Sequence, residues 1–192
     1  MSVCDQYFNQ SVFFDCDLPK LSGKLDGEAY LIDRSDITGF TIEDGICTAL
    51  TIASGSKVRV VQMKGKKPFT GSSNTMVESD YGNRWDNVFQ FIIAQPVVNK
   101  ELPPIQEELK DCDLVLIIKN KDIYTRISSY EIWGLSQGMQ ATAIVRTFYD
   151  ENVGGAWTVT LTENGADFTA VRFLESDSDV ATWLTGKVDV PA

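Results

Sequence analysis

The 192-residue sequence predicts a mainly β chain: an antiparallel β-sandwich or flattened barrel with one or two short helices and a long extended loop or hairpin. Short segments rich in β-branched and aromatic residues recur along the chain, about nine or ten of them, separated by turn residues. In GAWTVTLTENG, Trp157, Val159 and Leu161 alternate with Thr158, Thr160 and Thr162, so one face is apolar and the other hydroxylic. Helical character is confined to 102–112 and 176–186.

Residues 1–28 hold Tyr7, Phe8, Phe13 and Phe14 without clean periodicity, then Pro19 and glycines. They are expected to form an N-terminal arm that packs on the core or on a neighbour. Residues 29–192 are expected to form a single β-rich domain. Its first strands are AYLID (29–33), GFTI (39–42), ICTALTI (46–52) and KVRVVQM (57–63), with ASGS as a hairpin-like connection between the last two.

Residues 64–87 are polar and turn-rich, and loops of this length without structure of their own are usually functional or disordered. Phe69, Met76, Tyr81 and Trp85 give the stretch more apolar material than a linker needs. It reads as a protruding hairpin or docking loop, or as a loop folded back over its own core. Lys64, Lys66, Lys67, Phe69, Tyr81 and Trp85 are the candidate docking residues.

VFQFIIAQPVV (88–98) and DLVLIIKN (113–120) read as buried strands. Between them LPPIQEELKDC (102–112) reads as a helix, with proline in the first turn and Ile105 and Leu109 on one face. GMQATAIVRTFY, GAWTVTLTENG and DFTAVRFL carry the cleanest strand pattern, and SDSDVATWLTG (176–186) suits a short capped helix.

The formal net charge of −10 argues against a general duplex-binding protein, which needs a basic face. The charge is uneven. Between Gly45 and Val77 lie five of the 17 basic residues (Lys57, Arg59, Lys64, Lys66, Lys67) and none of the 27 acidic ones. Such polarity fits a solvated surface, or complementary faces that steer one subunit onto another. No apolar run reaches membrane-spanning length, and the N-terminus lacks the basic and apolar regions of a secretory signal, so no membrane partner is expected. Cys4, Cys16, Cys47 and Cys112 form no C-x-x-C pair, and free thiols in a reducing cytoplasm are expected.

GLSQG (134–138) matches the G-x-S-x-G pattern of serine-hydrolase elbows. A serine hydroxyl needs an adjacent base, and the chain contains no histidine. The elbow also needs a following helix, whereas MQATAIVRTFY has strand character. Ser136 therefore reads as a turn residue, with Gly134 and Gly138 at bend positions. The carboxylate pairs Glu107/Glu108 and Asp177/Asp179 read as solvated charge, and DCD (15–17) and DSD (177–179) lack the rest of a calcium loop. With no Walker A, G-x-G-x-x-G or kinase signature either, no enzyme, cofactor or metal is expected.

The stretch YEIWGLSQGMQATAIVRTFYDENVGGAWTVTLTENGADFTAVRFL resembles structural virion proteins of phages infecting Bacteroidetes. The marks are Trp133, Gly134, Gly138, Met139, Gly155, Trp157, Thr160, Leu161 and Thr162. The resemblance, over residues 130–174, extends to tail-tube-like and to neck- or connector-ring-like proteins. It implies a homo-oligomer: a β-sandwich that joins sheets with its neighbours into a ring or tube, stacks through a long loop, and conducts DNA with only transient contact. Other virion proteins are the implied partners, a negative lumen is the implied conduit, and the virion is the implied location. The alternative is a carbohydrate- or receptor-binding β-sandwich that uses Tyr81 or Trp85 as a stacking platform.

Overall fold

A computed structural model describes residues 25–62, 71–78, 80, 82–93, 105–121, 128–149 and 155–189. Of the expected features, residues 1–24 of the arm, Met63 of the strand 57–63, residues 64–70, Ser79 and Tyr81 of the long loop, 94–98 of the strand after it and 102–104 of the helix lie outside these residues.

Twelve strands form two sheets among the described residues. The larger sheet contains β1 (Leu25–Asp33), β2 (Ile37–Glu43), β3 (Ile46–Ile52), β4 (Val58–Gln62), β7 (Leu114–Asn120), β8 (Tyr130–Trp133), β11 (Val171–Phe173) and β12 (Val188–Asp189). Its order is β12-β4-β1-β7-β8-β11-β3-β2. The smaller sheet, in the order β5-β6-β10-β9, contains β5 (Ser73–Val77), β6 (Arg84–Ile93), β9 (Gln140–Arg146) and β10 (Trp157–Ala166). Two short helices, α1 (Ile105–Leu109) and α2 (Asp177–Leu184), complete the fold. The expected β-sandwich with one or two helices is the fold observed, and neither sheet closes into a barrel.

The strand β7 belongs to both hydrophobic cores. Leu114, Leu116 and Ile118 face the smaller sheet, where they meet Phe89, Phe91 and Ile93 of β6 and Val159 and Leu161 of β10. Val115 and Ile117 point the other way and pack with Ile32, Leu50, Val58, Ile132 and Phe173 beneath Val180 and Leu184 of α2. Five consecutive buried residues are what a strand covered on both faces requires.

The larger sheet is bent by one long hairpin. Leu31 pairs with Arg59 in β1–β4, and Ile37 pairs with Ile52 in β2–β3. These are two halves of a single antiparallel ladder, interrupted by a 3-10 turn at Arg34–Asp36 and a turn at Ala53–Ser56. At the corner the Ala53 amide still donates to the Asp36 carbonyl at 2.8 Å. One half of this hairpin sits near each end of the sheet, so the sheet curls, and α2 fills the hollow. Trp183 of α2 donates its indole N–H to the Leu50 carbonyl (2.9 Å) and meets Phe173 edge to face at 5.2 Å. The expected ASGS hairpin is thus a corner: β3 and β4 do not pair with each other, because each is already paired with its half of the β1–β2 arm.

Other boundaries shift for local reasons. β1 starts at Leu25, inside the expected arm, because Leu25 pairs with Asn120 and the ladder absorbs Gly27 in an irregularity before Ala29. Much of the expected loop 64–87 is a β-hairpin, with Ser73–Val77 paired to Val88–Arg84. Two strand pairs, β11–β3 and β12–β4, are parallel within an otherwise antiparallel arrangement. α2 is capped as expected: the Ser176 hydroxyl accepts the Asp179 amide at 3.2 Å.

Replacing Phe173 with Ala leaves a void between β11 and α2 and is expected to cost about 3–5 kcal/mol. A urea midpoint close to that of the wild type would show that α2 does not depend on this contact.

Candidate functional site

The GLSQG turn carries the chain from the larger sheet to the smaller one. Gly134 and Gly138 have φ of 82° and 91°, the left-handed region that glycine enters freely. A Cβ on Gly134 would lie 2.6 Å from the Leu114 carbonyl oxygen, and one on Gly138 would lie 2.9 Å from Asp113 Cβ. Met139 then exchanges both backbone hydrogen bonds with Leu114, at 2.7 and 2.9 Å. A strand follows, not a helix, and the Ser136 hydroxyl accepts the Asp167 amide at 3.3 Å. Its geometry is that of a turn.

A buried polar pair holds this turn against the smaller sheet. Glu163 of β10 and Asn87 of β6 are almost fully buried. One carboxylate oxygen of Glu163 accepts the Gln137 amide (2.7 Å) and the other accepts Asn87 Nδ2 (2.8 Å). Arg84 and Asp167 add an ion pair close by. This network gave no sequence signal beyond a carboxylate on the apolar face of a strand.

On the far side of the larger sheet, Asp177 anchors the start of α2. It accepts the Ser129 amide at 2.7 Å and the Ser129 hydroxyl at 2.6 Å, with Lys119 Nζ at 3.8 Å. Partial burial by itself pushes this carboxyl up, but the Ser129 bonds and the Lys119 charge together outweigh burial and hold it below its ordinary value. The cluster is an anchor for a helix. Cys47 is a buried thiol pushed up to about 11 by burial, an effect partly offset by backbone hydrogen bonding at Ala49. Cys112 donates to the Glu108 carbonyl and is also raised, so neither is primed as a nucleophile. Among the described residues no group of three or more His, Cys, Asp or Glu side chains is placed to hold a metal ion, and no helix is long and apolar enough to cross a membrane.

The remaining candidate among the described residues is the surface of the smaller sheet. All four strands alternate in direction, and β5 and β9 are its edges. All five residues of β5 are exposed. α1 stands beside β9, and a groove between them is lined by Glu107, Lys110, Ala143, Ile144 and Trp157. The outward face carries Thr158, Thr160 and Thr162, joined to neighbours by Gln90–Thr160 (3.1 Å) and Thr142–Thr162 (2.9 Å) bonds. This is the hydroxylic face read from the sequence, and Val159 and Leu161 are fully buried on the other. Among the described residues the exposed large hydrophobics are Met76, Val77, Val145, Phe148 and Tyr149, all on or just beyond the two edge strands.

Of the six expected docking residues, Lys64, Lys66, Lys67, Phe69 and Tyr81 lie outside the described residues. Trp85 is half-buried in β6 opposite Met76 and Ala166, which leaves less of its ring for a sugar to stack on. Among the described residues Phe148 and Tyr149 are the exposed large aromatics. Their sequence has strand character, and nothing in it marks pairing as stopping at Arg146.

Gly134→Ala is expected to lose more than about 1 kcal/mol, since both φ and the Leu114 carbonyl oppose a Cβ. Ser136→Ala is expected to lose less than about 1 kcal/mol. Urea titrations of the pair check this, and a reversed order would refute the turn assignment. For Asp177, the depressed folded value means its stabilisation is present above the unfolded pKa of about 3.9 and is lost as pH falls through the lower folded value. The stability gap between wild type and Asp177→Asn should therefore be open at pH 7 and close on acidification below that window. A gap that persists unchanged at the lowest pH would rule out the charge as its source.

No protein-family model, curated protein sequence or solved structure matches this chain.

Proposed function

We propose that the chain is a structural subunit of a phage particle that assembles with copies of itself into a ring or tube, of the tail-tube or neck/connector kind, and that this ring conducts DNA. The observation that carries the assembly is the parity of the smaller sheet. Its edges β5 and β9 run in opposite directions. A copy placed alongside by rotation brings its β5 antiparallel to β9, so the ladder continues with its alternation intact. Such a head-to-tail contact makes a ring wherever the rotation closes. The virion setting comes from the resemblance over residues 130–174.

Layering supports the direction of closure. The larger sheet and α2 lie behind the smaller sheet. In a ring joined through the smaller sheet, the bulkier layers fit at larger radius and the threonine face turns towards the bore. Its charged residues, Arg84 and Asp86, are confined to one end of β6. A bore of this kind lets a polyanion pass because hydroxyls neither attract nor trap phosphate strongly, which makes strong negative charge unnecessary there.

Proline on the β5 edge tests the contact. Successive residues of a strand turn their amides to opposite sides, so one of Asn74→Pro and Thr75→Pro removes an inward N–H and the other an outward one. The variant that keeps wild-type stability is expected to stay monomeric by light scattering at concentrations where the wild type forms rings visible in negative stain. Rings from both variants would rule out the β5 edge. Wild-type protein that is monomeric at every concentration would favour the carbohydrate- or receptor-binding module, and a glycan screen would then decide it.

A further inference from the structure

Resting on that reading, we propose that rings stack because the aromatic tip at the end of β9 docks onto the end of β5 in a second copy. The five exposed large hydrophobics of the described residues lie at two places: Met76 and Val77, on opposite faces of β5, and Val145, Phe148 and Tyr149 at and beyond the end of β9. Apolar side chains grouped at strand ends are candidate contact points.

Their positions follow from the register. Val77 pairs with Arg84 at the start of β6, beside the end of β10. Arg146 pairs with Trp157 at the start of β10, which pairs with Ile93 at the end of β6. The two groups therefore sit at opposite ends of the strands as well as on opposite edges. Neither can reach the other within one chain. A copy displaced along the strand direction brings them together, and because they are different surfaces the contact repeats without terminating.

Phe148 is preorganised. Arg146 is held by a 2.9 Å bond to the Gly155 carbonyl, and its guanidinium lies 4.7 Å from the Phe148 ring and 5.7 Å from the Trp157 ring. Tyr149 is fully exposed at a φ of 61°, a backbone state unusual for a bulky residue. Held by Arg146, the Phe148 ring loses little freedom on docking. The opposing Met76 is 55% exposed, and its flexible thioether is suited to contact with aromatic edges.

Two measurements test the contact. The double variant Phe148→Ser/Tyr149→Ser alters only exposed side chains and is expected to keep the wild-type urea midpoint. It should form single rings, with the concentration for stacking raised about ten-fold or more. The variant Met76→Cys/Phe148→Cys, concentrated until its rings stack, should give on mild oxidation a disulfide between positions 76 and 148 of different copies, identified by peptide mass spectrometry. Rings that stack equally well in the serine variant, or stacked rings without the 76–148 link, overturn this contact and leave the ring standing. Absence of rings from the wild type overturns both.

Discussion

Everything in this molecule leans on β7 being buried from both sides. A strand that supplies Leu114, Leu116 and Ile118 to one core and Val115 and Ile117 to another cannot set its own register by hydrophobicity, since a one-residue slip exchanges one apolar set for the other. Register has to come from the ends. Leu114 is tied to Met139 by two backbone bonds, Asp113 accepts the Arg34 amide at 2.7 Å, and the Asn120 amide donates to the Ser129 carbonyl at 2.9 Å. Polar contacts at the rim thus decide how the two apolar layers align.

The legible parts were those where one residue type dominates locally. The Thr/apolar alternation of β10, the apolar run of β7 and the Ser176 cap all announce themselves within a few residues. β5 did not, because SNTMV has no buried face and hence no alternation to read. Leu25–Glu28 were hidden by Gly27, which reads as punctuation although the ladder runs through it. Asp44–Gly45 was a missed signal of the usual kind: both residues have positive φ, as a two-residue hairpin turn demands, and the dipeptide favours that turn. Long-range facts, such as β1 lying between β4 and β7, have no local trace. Exposure at Phe148 and Tyr149 is likewise set by where pairing ends.

Edges give the smaller sheet its character. Soluble proteins commonly blunt a free edge with lysine, proline or a bulge. β5 has neither lysine nor proline, and its ladder with β6 runs without irregularity across all five pairs. β9 carries an irregularity, but against β10, at Thr160/Leu161. Among the described residues nothing pairs with the outer edge of β5, and the alternation of the strands suits an edge made to be covered.

The bent hairpin also bears on how quickly the chain organises itself. Its two arms are joined by a tight turn at Asp44–Gly45, so pairing can begin between near neighbours and zip outward through the corner to Glu28 and Gln62. Closing small loops first keeps the entropic cost of each step low. By the time the zipper is finished, the strands near both ends of the eight-stranded sheet are already in hand. The remaining strands then add to a frame whose curvature is set, which turns a search among distant segments into a sequence of docking events.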